Sequence, residues 1–151
     1  MAIPPRRSRV PGMVQPGLLQ RLRAEILADS PLGYWPLDES SGNAVDVVSG
    51  RNGVITGAIT RPSSNPITGA LGADFTGSGQ RISIADDAVW DYTGDWTAEC
   101  CAYLASLPNA SQAAFGRSGN TGATQRWALG ITAGNKPTAY VANGATYKIP
   151  T

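Results

Sequence analysis

Residues 73–106, ADFTGSGQRISIADDAVWDYTGDWTAECCAYLAS, alternate apolar and polar side chains between Gly and Asp breaks. A period of two sends successive side chains to opposite faces of a strand, and breaks spaced roughly eight to twelve residues apart are those of an all-β sandwich. Within this run Trp96–Leu104 is the best strand. One face carries Trp96, Ala98, Cys100, Ala102 and Leu104; the other carries Thr97, Glu99, Cys101 and Tyr103. Ala73–Thr76 and Gln80–Ile84 read as a hairpin across the TGSG turn at 76–79.

The same reading extends both ways. Upstream, YWPLDESSGNAVDVVSGRNGV at 34–54 opens with a strand through Tyr34, Trp35 and Leu37. A polar loop over Asp38–Asn43 follows, then a turn at 49–53, a strand over Val54–Ile59 and a Pro-bounded loop at 61–66. Downstream, Ala113–Gly116 and Trp127–Thr132 are strands separated by the polar loop RSGNTGATQ at 117–125. The turn AGNK at 133–136 leads to Thr138–Ala142, and Asn143-Gly144 is a type I′ hairpin signal before Thr146–Ile149.

Composition agrees with many short strands and tight turns: 151 residues include 18 Gly and 11 Pro, and only 15% are charged. A chain of this length buries a core without disulfides or metals. The net charge of +1 conceals an uneven distribution. Residues 1–24 hold five arginines and no acid, whereas in 25–151 seven bases against eleven acids leave −4. Two parts so different in charge are expected to meet different partners. The first residues lack the apolar run of a secretory signal, and no stretch approaches the roughly 18 apolar residues of a membrane span. The two cysteines, Cys100 and Cys101, are neighbours on opposite strand faces, so no disulfide framework is expected and they read as small strand residues.

Residues 1–17, with Pro4, Pro5, Pro11 and Pro16, read as a basic extended arm. Such an arm is either a disordered tail or a segment that orders on a partner, with Arg6, Arg7 and Arg9 pairing to carboxylates. Nucleic acid is not the expected partner, because no aromatics interleave with the arginines and the body is acidic. Residues 18–29, LLQRLRAEILAD, place Leu18, Leu19, Leu22, Ile26 and Leu27 on an amphipathic helix stripe, opened by Pro16-Gly17 and closed by Asp29, Ser30 and Pro31. At three turns this helix must pack on the β body or on another subunit.

YWPLDESSG with SGRNG, then GADFTGSGQRISIADDAVWDYTGDWTAECCAYL, then FGRSG and RWALGITAGNKPTAYV, resembles the laminin-G-like, concanavalin A-like jelly roll of bacterial surface and bacteriophage virion proteins. The likeness covers residues 33–143. It implies a jelly-roll β-sandwich over 32–151 that continues past Thr151 with further strands or is completed by neighbouring subunits. The entry through AEILADSPLGYWPLDE is similar to that of phage virion proteins of this type. The resemblance implies a virion structural protein, of the minor tail or tail tip, whose arm and helix (Arg6, Arg7, Arg9, Leu18, Leu22, Ile26) dock on other virion proteins. Its outer face would meet a host-surface glycan or further copies in a homo-oligomer. A capsid decoration protein and a carbohydrate-binding module of a bacterial surface or secreted protein are the alternatives.

Catalysis is not expected. The jelly-roll glycoside hydrolases need paired carboxylates on one strand face, and the only glutamates, Glu25, Glu39 and Glu99, are not so spaced. Histidine is absent, and no Ser or Cys has a neighbouring base. No cofactor is expected, except that calcium could bind oxygen ligands in the loop holding Asp86, Asp87, Asp91 and Asp95, with Asp46 and Ser49 as a weaker site. Turn and capping chemistry explains the same aspartates more simply. For a glycan, Trp90, Tyr92 and Trp127 are the candidate platforms, whereas Trp35 and Trp96 take in-facing strand positions.

Overall fold

The computed structural model describes residues 16–64, 71–77, 79–91, 94–106, 112–117, 125–134, 136–143 and 146–148. The arm, including Arg6, Arg7 and Arg9, lies outside the described residues apart from Pro16 and Gly17. Among the described residues the fold is all-β apart from one helix and a 3-10 turn, with small antiparallel sheets. The chain divides into two units after Asp87.

The first unit starts with α1, Pro16–Ala28. Ser30 ends it in the left-handed region at φ 53°, its N–H donating to the Leu27 carbonyl at 3.2 Å, and Pro31 prevents continuation. Then come β1 (Val54–Thr56), β2 (Thr60–Ser64), β3 (Leu71–Asp74) and β4 (Arg81–Ser83). β1 pairs with β4, placing Ile55 opposite Ile82, and β2 pairs with β3.

Three readings of this unit are corrected. Tyr34–Leu37 is not a strand: Leu37 sits at φ 60°, which breaks an extended run, and Tyr34 bonds a loop instead. The Pro-bounded loop begins with a strand, β2. Its register shifts between Thr60 and Ser63, and Pro62 lies within that irregularity, where a missing ladder donor is tolerated. The hairpin across TGSG does not form, since β3 and β4 take different partners. The Gln80 side chain occupies the turn: its carbonyl accepts from Gly77 N–H at 2.9 Å and its amide donates to the Ala58 carbonyl at 2.7 Å.

The second unit is a four-stranded meander of β5 (Gln112–Arg117), β6 (Gln125–Ile131), β7 (Pro137–Asn143) and β8 (Thr146–Lys148). β7 pairs with β8 with Val141 opposite Lys148 and Asn143 opposite Thr146, so Asn143 belongs to the ladder and not to the central turn position that the Asn143-Gly144 signal assigned it. Trp127 on β6 is only 8% exposed, with Phe115 edge-on and Trp96 tilted, both at 5.1 Å between ring centres. Trp96–Leu104, the best strand by pattern, is not assigned as a strand, and Thr97–Leu104 pairs with none of the strands among the described residues. Alternation prescribes faces but supplies no neighbour.

Close strand approach explains two glycines. A side chain on Gly116 would meet the Trp127 carbonyl oxygen at 2.5 Å, and one on Gly130 would meet the Gln112 carbonyl oxygen and Ala113 Cα. Gly130→Ala therefore lowers the stability of the β5–β6 pair by about 2 kcal/mol, seen as a lower urea midpoint, because backbone must move. Gly72→Ala, with nothing within 4 Å, stays within about 0.5 kcal/mol of the parent.

Candidate functional site

The polar loop before β1 is built on one carboxylate. Asp46 is 3% exposed. Its Oδ1 accepts from Tyr34 N–H and Val48 N–H, each at 3.0 Å. Its Oδ2 accepts from Arg51 N–H at 3.2 Å and from the Ser49 hydroxyl. Its own N–H donates to Asn52 Oδ1 at 3.0 Å. Tyr34 is held from its other side as well, since its carbonyl accepts from Val47 N–H at 3.0 Å, and Trp35 Nε1 donates to the Arg51 carbonyl at 3.0 Å. Ala44 and Gly53 close the base with reciprocal backbone bonds of 2.9 and 2.8 Å. Thus the aromatic pair and the DVVSGRNG loop form one hydrogen-bonded body. Burial pushes the Asp46 pKa up, but the bonds from the Ser49 hydroxyl and from the N–H groups of Tyr34, Val48 and Ser49 outweigh it, and the net value lies below the ordinary carboxylate range.

Beside this body Arg61 is nearly buried, with its side chain 7% exposed. It donates to the Gly42 carbonyl at 2.5 Å and pairs with Glu39 Oε2 at 3.5 Å, while Glu39 Oε1 accepts from Val45 N–H at 2.7 Å. Arg61 Nε is buried without a partner. A buried guanidinium in this position needs its carboxylate. From α1, Arg23 reaches the loop, 3.7 Å from Asp38 Oδ2 and 5.9 Å from the Tyr34 ring centre. Both partners of the Arg23–Asp38 pair are well exposed, so its worth is small. On the same helix Leu22 is 48% exposed, Leu27 is 42% exposed and Ile26 is half-buried. Leu18 belongs to α1, and its side chain lies outside the described ones.

The proposed cation ligands are engaged differently. Asp46 has its oxygens filled by protein donors, Ser49 among them, and a cation there would have to displace them. Asp87 pairs with Arg51 Nε at 2.9 Å, and Asp91 with Arg117 Nη1 at 2.8 Å. A cation would have to displace a guanidinium at each. Asp86 and Asp95 are exposed, and no group of three or more metal-ligating side chains occurs among the described residues. Of the aromatic platforms, Trp127 is a core residue whose ring is covered by Trp96 and Phe115, which removes it as a stacking surface. Trp90 is half-buried in a 3-10 turn, and its carbonyl accepts from Arg117 Nη1 at 2.6 Å. Tyr92 lies outside the described residues. Sequence pattern did not mark Arg61 or the structural role of Glu39, because the two are 22 positions apart and neither belongs to a motif.

Removing the Asp46 acceptors should be costly: Asp46→Ala destabilises the first unit by about 3 kcal/mol, read as a lower denaturant midpoint. Glu39→Ala, which leaves the Arg61 guanidinium buried alone, has an effect of about the same size. Since the folded Asp46 pKa is depressed, its contribution is present above the unfolded value near 4 and is lost as pH falls through the lower folded value. The melting temperature of the parent should therefore fall more steeply than that of Asp46→Asn between about pH 5 and about pH 2. Compared with models of protein families, with curated proteins and with solved structures, the chain gives no match.

Proposed function

We propose that this chain is a non-enzymatic structural protein of a bacteriophage particle, of the minor tail or tail tip. Its basic arm and α1 dock on another virion protein, and a jelly-roll body turns outward to a host-surface glycan or to further copies. The observation that carries this reading is the state of α1. A 13-residue helix is marginal by itself, yet it is joined to the loop body through Arg23 while Leu22 and Leu27 stay open to solvent. Such a helix has one side for its own domain and apolar side chains left for a second surface. The arm preceding it brings Arg6, Arg7 and Arg9, so the matching surface is an apolar groove edged with carboxylates. The non-enzymatic reading is supported by the carboxylates themselves: Glu39, Asp46, Asp87 and Asp91 are all committed to structural partners. The jelly-roll architecture is supported by the spacing of the strand breaks and by the antiparallel sheets. No helix among the described residues is long and apolar enough to cross a membrane.

Deleting residues 1–17, or replacing Leu22 with Asp, should abolish incorporation into particles while leaving the circular dichroism of the purified protein unchanged. Normal incorporation of the folded truncation would overturn the docking role.

A further inference from the structure

The segment Thr97–Leu104 is a strand by pattern that pairs with no strand among the described residues. Among the described residues none of its backbone groups has a hydrogen-bond partner, and every residue in it except Ala98 is exposed. Eight consecutive residues without a backbone partner among the described residues, alternating in face and lacking proline, present an edge of the kind that recruits another strand.

We propose that this segment is the interface to a second copy of the same chain, paired antiparallel about a two-fold axis through Cys100. The sequence is self-complementary about that point. Trp96 falls opposite Leu104, Thr97 opposite Tyr103, Ala98 opposite Ala102 and Glu99 opposite Cys101, with Cys100 facing its own equivalent. On the Trp96 face, Trp96 thereby meets Leu104 at each end and the small Ala98, Cys100 and Ala102 meet one another in the middle. Glu99, the one charge in the segment, faces a thiol instead of its own copy, as it would if the axis passed through residue 99. An axis through residue 100 also keeps Trp96, Ala98, Cys100, Ala102 and Leu104 of both strands on one face, continuing the apolar side on which Trp96 meets Trp127. The proposed pairing is the one in which Thr97, Glu99, Cys101 and Tyr103 point their backbone groups at the partner and Cys100 occupies a non-hydrogen-bonded pair.

The two cysteines then behave differently. In a non-hydrogen-bonded pair the Cα atoms lie about 4.5 Å apart, within reach of a disulfide. Cys101 meets its own equivalent only on the diagonal, beyond the limit of about 7 Å. Both thiols are free and exposed in the structure, so accessibility does not separate them.

The test uses the full chain, purified without any particle, so its failure is separate from failure of the docking role of the arm. Cys101→Ser keeps only Cys100, and Cys100→Ser keeps only Cys101. With a pyridyl disulfide as two-electron oxidant, the first variant should form a disulfide-linked dimer at least about tenfold faster than the second. Adding Tyr103→Pro to Cys101→Ser removes a ladder donor and should suppress that cross-link to the level of Cys100→Ser, with circular dichroism confirming the fold. Absence of a cross-link in Cys101→Ser, equal rates in the two single-cysteine variants, or cross-linking indifferent to Tyr103→Pro would each overturn the proposal.

Discussion

The first unit depends on a carboxylate that water does not reach. Asp46 gathers backbone donors from Tyr34, Val48 and Arg51 and a hydroxyl from Ser49, and no repeating secondary structure could satisfy those groups at that place. An ionised acceptor is stronger than a neutral one, and burial strengthens it further provided that every lone pair is used. The consequence is a loop whose backbone donors are satisfied by one side chain. That loop in turn fixes Trp35 through the Arg51 carbonyl and sets the Ala44–Gly53 bridge from which β1 departs.

The two units solve the pairing problem by different routes. In the second, each strand pairs with its neighbour in sequence, and short connections make ladder formation cheap in chain entropy. In the first, β1 must find β4 across β2 and β3, with Ile55 meeting Ile82. Buried polar contacts of long sequence separation accompany that arrangement, with Arg61 bridging to Glu39 and to Gly42. Buried apolar side chains are few among the described residues, namely Ala44, Trp127 and Ala128, so hydrogen bonds and ion pairs carry an unusual share of the local order. Leu22, Leu27, Tyr103 and Leu104 are the large apolar side chains of these segments that stay exposed, and additional apolar burial is still to be gained there.

Read by itself, the sequence determined the all-β class, the three-turn helix and the hairpins of the second unit, because these follow from local rules. Pro and Gly set dihedral angles, and period two sets faces. It also marked Tyr34–Val54 as an organising stretch, although it assigned Asp46 no more than a weak cation role. The tertiary structure decided what local rules do not contain. It separated β3 from β4, turned the Pro-bounded segment into β2, buried Trp127 and occupied the aspartates with arginines. A strand pattern states which side chains share a face but not which backbone lies beside it. That choice is made by partners distant in the chain, through Gln80, Asp46 and Arg61, whose side chains carry no periodic signature.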